Sequence, residues 1–166
     1  MFIELEPIFN NVGAQKDFNF NIDLSNEELD GIFPFKTPVM VAGVVKNSSG
    51  IVTLEYGVNL RYDGYCDRCA EEVVKELKYD FDHTLVLSLN NEENDDLMLI
   101  EDLHFELDPL AIEDIFLSLP TKILCSENCA GLCTKCGKNL NHGTCDCEKE
   151  IDPRLVILQQ LLENNE

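Results

Sequence analysis

The chain has 166 residues, 45% of them hydrophobic and 27% charged, with 32 Asp and Glu against 12 Lys and Arg and a formal net charge of -20. That composition excludes a disordered chain, and no run approaches the roughly 18 apolar residues of a membrane helix. Acidity on this scale repels a phosphate backbone, whose partners bind by displacing counterions with cations; it favours either a solubilising surface or a basic protein partner.

The N-terminal MFIELEPIF has no basic region ahead of its apolar residues, as a secretory or matrix-targeting leader would have. A cytoplasmic protein is expected. FIEL can form an edge strand, and Phe18, Phe20, Ile22 and Leu24 alternate as a second strand. Ser25 and Glu28 have the spacing of a capping box, which predicts a short helix there. VMVAGVVK (39–46) reads as a central strand, apolar on both faces, and Asn47-Ser48-Ser49-Gly50 as a turn. Val52, Leu54, Tyr56, Val58, Leu60 and Tyr62 then alternate with polar or small residues, the period of a strand with one wet face. Val73, Leu77, Tyr79, Phe81, Leu85, Leu87 and Leu89 continue the pattern, with Lys75 and His83 breaking the apolar side. Residues 38–89 thus predict a three-strand antiparallel meander, with Cys66-Asp67-Arg68-Cys69 at its second bend.

Between Tyr79 and Thr121 there are twelve acids and no Lys or Arg, including the run Glu92-Glu93-Asn94-Asp95-Asp96. Asp108-Pro109 offers an N-cap followed by proline at N1, with Leu107 and Ile112 as a hydrophobic staple and Ile115 and Phe116 extending the apolar face to Pro120. Asp152-Pro153 repeats the device ahead of Leu155, Leu158, Leu161 and Leu162. The predicted fold class is α+β: an antiparallel, curled β-sheet meander with two helices and a small cysteine-rich zinc-knuckle module. The predicted segments are 1–124 (sheet domain with one helix), 125–150 (knuckle) and 151–166 (C-terminal helix).

Six of the eight cysteines fall between Cys125 and Cys147, and the other two are Cys66 and Cys69. Disulfides fit poorly with a cytoplasmic chain and with Cys145-Asp146-Cys147. A thioredoxin-type redox pair needs a βαβ context, whereas Cys66 and Cys69 lie between antiparallel strands. Cys129-x3-Cys133-x2-Cys136 matches the cluster spacing of radical-SAM enzymes, but no large β/α barrel can be built around it. A redox or iron–sulfur-cluster protein is the alternative reading that spacing leaves open.

Zinc fits best. A CxxC pair at a hairpin tip presents two thiolates to one ion, and four thiolates close its tetrahedron. Cys133-Thr134-Lys135-Cys136-Gly137 is the strongest such pair, because glycine permits the positive φ that follows the second ligand. Cys133, Cys136, Cys145 and Cys147 form one expected site, and Cys66, Cys69, Cys125 and Cys129 the other; His142 could replace a cysteine in the Cys133 site. A single shared site is the alternative to two. All-thiolate sites leave no open position, so the zinc is expected to be structural. His83 and His104 show no ligand spacing and are expected to be structural. Apart from its thiols the module is neutral, with Lys135 and Lys138 against Glu127 and Asp146. These two lysines are the candidate RNA contacts. No Ser-His-Asp arrangement or phosphate-cradling loop points to a small-molecule substrate.

The C-x-R-C on the meander, the acidic loop, the D-P helix ending in Leu-Pro and the following cysteine pair resemble the YceD family, the large ribosomal RNA subunit accumulation proteins. The tail CAGLCTKCGKNLNHGTCDC followed by IDPRL resembles the version found in many Gram-positive bacteria. The likeness runs from about Val39 to Leu162. It implies a non-enzymatic ribosome-biogenesis factor that supports accumulation of large-subunit ribosomal RNA, with a basic large-subunit ribosomal protein or the rRNA as partner. It carries Cys66, Arg68 and Cys69 over as the family's C-x-R-C, and Cys125 and Cys129 as its later pair. Some family members lack several of these cysteines, which also implies a stapling role for the metal.

Overall fold

This computed structural model describes residues 1–88 and 97–147. The acidic run at 92–96 and the predicted C-terminal helix after Asp152 lie outside the described residues. The chain is α+β. Its principal element is a five-stranded, strongly curled sheet in the order β2 (Gln15–Ile22), β3 (Val39–Ser48), β4 (Ile51–Tyr65), β5 (Glu72–Val86), β6 (Leu97–Leu99). Neighbours are antiparallel except β6, which runs parallel to β5. A two-stranded ribbon pairs β1 (Phe2–Glu4) with β7 (His104–Glu106), so FIEL is a strand, but of this ribbon and not of the large sheet. The helices are α1 (Glu6–Asn10) and α2 (Leu107–Ser118).

The alternation in β4 does what its period requires. Val52, Leu54, Tyr56, Val58, Leu60 and Tyr62 are all buried, while the residues between them face the wet side. β5 follows suit, with its odd-numbered residues turned inward as far as Leu85 and Lys75 and His83 half-buried among them. The β3–β4 turn closes through Ser49 and Gly50, both in the left-handed region at φ 57° and 89°, the twist that two-residue hairpins prefer. The side chain of buried Asn47 donates to the Ile8 carbonyl (2.8 Å) and accepts the Gly50 N–H (2.9 Å), tying this turn to α1.

β3 is an interior strand, as expected; its second apolar face is left uncovered among the described residues, with Met40 48% exposed and Ala42 exposed. Two local expectations are corrected. No helix follows Ser25. Its N–H bonds the Asp23 carboxylate (2.9 Å), and Asp30 and Gly31, both at positive φ, close a tight turn bridged by Leu29 and Ile32; this local side-chain turn displaces the capping box. Finally, α2 starts two residues earlier than predicted, with Glu106 in place of Asp108 as its N-cap. The Asp108 carboxylate is drawn instead to the Met1 ammonium.

Helix α2 lies against the inner face of the sheet. Leu107, Ala111 and Ile115 repeat every four residues and are all fully buried. Phe35 sits between sheet and helix, edge-on to both Tyr62 and Phe116 at centroid distances of 6.5 and 6.0 Å. Opposite Tyr56 stands Gly43, where a methyl group would lie 2.2 Å from the Glu55 carbonyl oxygen. The missing side chain makes room for the β4 backbone at Tyr56; the Tyr56 hydroxyl bonds Asp114 on the helix, and His83 bonds the same carboxylate at 2.7 Å. His83 and His104, the latter bonded to Glu4, are thus engaged in contacts that tie elements together. This packing brings the chain leaving α2 back to the β4–β5 hairpin tip, where the thiols are.

Candidate metal centres

The hairpin tip is a loop whose form is fixed by backbone bonds. Cys66 N–H donates to the Glu71 carbonyl and Ala70 N–H to the Cys66 carbonyl, both at 2.8 Å, with Ala70 at φ 57°. The second CxxC repeats this bond for bond. Cys133 N–H reaches the Lys138 carbonyl (2.8 Å), Gly137 N–H reaches the Cys133 carbonyl (2.9 Å), and Gly137 stands at φ 72°. In each loop the first sulfur accepts the N–H groups two and three residues on: Arg68 and Cys69 for Cys66, Lys135 and Cys136 for Cys133. The glycine at 137 made the second loop legible in the sequence. The first places an alanine in the same left-handed position, and so carried no such mark.

Asp67 and Arg68 join the hairpin tip to the distant thiols. Asp67 N–H donates to the Ile123 carbonyl (2.9 Å), and the Asp67 carboxylate accepts the Ile123 N–H. Arg68 donates to the Cys129 carbonyl (3.1 Å), while its own carbonyl accepts the Leu132 N–H (3.1 Å). Gly131 makes this approach feasible, since a Cβ there would lie 3.2 Å from the Arg68 carbonyl oxygen. Neither residue had been singled out for this work by spacing, because the bonds run to segments more than fifty residues away.

The result is two groups of four thiols: Cys66, Cys69, Cys125 and Cys129, and Cys133, Cys136, Cys145 and Cys147. Within each group all sulfurs lie within 4.8 Å of one another. In the first, Cys66 and Cys129 sulfurs are 3.7 Å apart and those of Cys69 and Cys125 3.6 Å. A tetrahedral ion with metal–sulfur bonds of about 2.3 Å requires sulfurs about 3.8 Å apart. Bonded sulfurs would stand at about 2.05 Å. Each quartet therefore fits one ion enclosed by four sulfurs, whereas a multi-iron cluster holds its thiolates on separate irons, farther apart. The first quartet is largely buried, with only Cys125 exposed, and the second is half-buried to exposed.

The thiols of a quartet are not equivalent. Burial pushes the Cys66 thiol up, but the N–H groups of Cys125, Arg68 and Cys69 outweigh it and bring the pKa to about 6. The N–H groups of Cys136 and Lys135 bring Cys133 to about 6 as well. Hydrogen bonding with the Cys136 thiol, followed by burial, pushes Cys147 up to about 12. For Cys69 the Glu71 N–H works downward, yet burial and three neighbouring thiols carry it to about 12. The Asn141 side chain also lowers the Cys129 thiol. Each quartet thus has at least one thiol that ionises readily and another that holds its proton until a cation displaces it, so loading releases protons.

His142 is not drawn into the second quartet; its ring bonds Glu71 beside the first. This contact is the chief cause that holds the Glu71 carboxyl below its usual range. Lys135 and Lys138 are both exposed, and the Lys138 ammonium donates to the Thr144 carbonyl (2.6 Å) within its own loop.

The described residues include no helix long and apolar enough to cross a membrane. A family described as large ribosomal RNA subunit accumulation protein YceD matches residues 54–162, a span that holds all eight cysteines. The uncharacterized protein YlbN of Bacillus subtilis (strain 168) is 29% identical over 139 residues, covering 78% of this chain and 77% of that protein. No solved structure matches.

Proposed function

Because the chain belongs to the YceD family of large ribosomal RNA subunit accumulation proteins, we propose that it is a non-enzymatic, cytoplasmic ribosome-biogenesis factor that binds a basic large-subunit ribosomal protein, with its two quartets holding structural zinc. Family membership supports a role related to ribosome assembly. The observation that carries the choice of partner is the charge of -20, which opposes direct contact with rRNA and attracts a cationic protein.

The distribution of that charge agrees. On the uncovered face of the sheet, Glu55 stands directly opposite Asp82 and Gly57 opposite Asp80. Like charges set directly across a sheet repel. Lys46 answers Glu55 at 2.7 Å, and among the described residues no ion pair answers Asp80 or Asp82. These groups surround an open depression of about 390 Å³ floored by Ala42 and Gly57. A cationic partner would relieve the repulsion there. In the knuckle module, by contrast, Lys135 and Lys138 are balanced by Glu127 and Asp146, so the segment offers no net positive charge to a phosphate backbone, which weakens the RNA reading.

The zinc reading rests on the donor set. Four thiolates at tetrahedral spacing suit zinc, leave no position open for water or substrate, and so supply cohesion without chemistry. Mononuclear iron would fit the same geometry and is distinguished by its colour and by elemental analysis.

A pull-down at low and high salt, read by mass spectrometry, tests the partner. Recovery of a basic large-subunit protein at low salt and its loss at high salt is expected. Recovery of rRNA alone, abolished in a Lys135→Ala/Lys138→Ala variant, would replace this proposal with the RNA reading. Recovery of neither would overturn both.

A further inference from the structure

The second quartet does more than close its own loop. Between Cys136 and Cys145 the chain forms a single 3-10 turn, Leu140–His142, and this turn rests on the first quartet. The Asn141 side-chain amide donates to the Cys129 sulfur at 3.3 Å, while its carbonyl oxygen accepts the Ala130 N–H at 2.7 Å. A thiolate only accepts and an N–H only donates, so both contacts fix the amide in one orientation. One residue on, His142 bonds one oxygen of Glu71, whose other oxygen accepts from the Cys69 thiol at 3.6 Å. The turn therefore reaches a ligand from each half of the first quartet.

Apart from these contacts with the first quartet's surroundings, the turn has no buried anchor among the described residues. None of residues 132–147 is buried. Its further bonds are Leu140 N–H to the Gly131 carbonyl (2.9 Å), His142 N–H to the Asn139 carbonyl (3.4 Å), Asn141 N–H to the Asn139 side chain (2.9 Å) and Lys138 to Thr144, with Leu132 and Asn139 bridged as a short antiparallel pair. An ion gripped by Cys133, Cys136, Cys145 and Cys147 clamps both ends of the 137–144 segment.

We propose that Asn141 is a positioning residue for the first metal site, carried on a loop that the second ion orders, so that the two ions bind with positive cooperativity. This rests on the reading that both quartets hold zinc. Outer hydrogen bonds to ligands orient them and are worth about 10–100-fold in metal affinity. A loop that must be ordered before it makes that bond passes the ordering cost to whichever ion binds first. Linkage makes the coupling reciprocal: filling the first site favours filling the second by the same factor.

Zinc titration of the full-length chain against a chromophoric chelator tests this. Asn141→Ala should weaken the Cys66/Cys69/Cys125/Cys129 site by about tenfold. Cys145→Ser/Cys147→Ser, which removes the second site, should weaken the first by a similar factor. The combined variant should lose no more than either alone, since both changes withdraw the same bond. With Co2+ in place of zinc, loss of the N–H donor leaves Cys129 more electron-rich. Asn141→Ala should then move the sulfur-to-cobalt charge-transfer band to lower energy, a change that loosening of the surface alone does not produce. First-site affinity unchanged within twofold in Cys145→Ser/Cys147→Ser, or losses that multiply in the combined variant, would overturn the coupling and leave the zinc reading intact. A wild-type chain that takes up no ion would overturn both.

Discussion

The two thiol quartets are built on the same loop and held by different means. In the first, the paired sulfurs come from residues 63 and 56 positions apart, Cys66 with Cys129 and Cys69 with Cys125, and sheet and helix have already brought them together. Asp67 clasps Ile123 and Arg68 clasps Cys129 through bonds that involve no sulfur. In the second, all four ligands fall within Cys133–Cys147, and that segment buries nothing. Cross-link entropy grows only with the logarithm of loop length, so the two differ less in what an ion would gain from closure than in what it would secure. The first clasps a formed fold at its seam. The second stands in for a core the segment lacks.

The largest expected effect separates these roles. Cys69→Ser should remove one ion and lower the stability of the whole sheet domain by about 2–5 kcal/mol, the range for losing a long cross-link, seen as a drop in Tm of the far-ultraviolet melt. Cys145→Ser should also remove one ion, yet shift that melt by only about 1.4 kcal/mol, the tenfold loss of first-site affinity passed on by linkage, because none of residues 132–147 is itself buried. Its effect should appear as lost amide-exchange protection in the knuckle. Equal shifts in Tm for the two variants would erase the distinction.

A middle-sized effect isolates what the fold holds without metal. Tyr56→Phe removes the hydrogen bond to Asp114 and should cost about 1–2 kcal/mol, with the count of bound ions unchanged by mass. Burial, followed by the bond to Asp114, raises the Tyr56 phenol above its usual 10.0. The unfolded chain ionises first, so this contribution is complete below pH 10 and is lost as pH climbs beyond it. Denaturant melts between pH 9 and 11 should show the wild type weakening and the variant weakening less. Tyr62 and Tyr79, also raised by burial, leave a residual slope. A variant as steep as the wild type would remove Tyr56 from the account.

The smallest effect probes the shared loop. Ala70 holds the left-handed conformation that Gly137 holds in the second knuckle. Ala70→Gly should relieve strain and stabilise the domain by up to about 1 kcal/mol, the gain being trimmed by glycine's greater freedom when unfolded. A destabilised variant would mean that the methyl group packs usefully and that the two loops are less alike than their bonds indicate.

The contrast also explains what could be read in advance. β4 was legible because one face is buried along its length, so period two is written into residues 52–62. β3 was legible as a central strand, although its apolar Met40, Ala42 and Val44 face the uncovered side. The parallel pairing of β6 and the short helix α1 had no local mark strong enough to separate them from loop. The second quartet follows from spacing, since loop closure over so few residues leaves its thiols nowhere else to go. The first needed the hairpin to be placed beside the end of α2. The hydrogen bonds of Asp67, Arg68 and Asn141 were beyond reach, because a polar side chain's partner depends on which distant backbone the fold delivers. Asn139 accepts the Asn141 N–H within a local turn; that Asn141 also faces the first quartet appears only in three dimensions.

The account stands on two closed quartets that each enclose one ion. Native mass spectrometry of the intact, freshly purified chain tests this most directly. The predicted result is the polypeptide plus two zinc ions, with thiol protons displaced. A chain without metal and lighter than its sequence by pairs of hydrogens, the mark of sulfur–sulfur bonds, would contradict it.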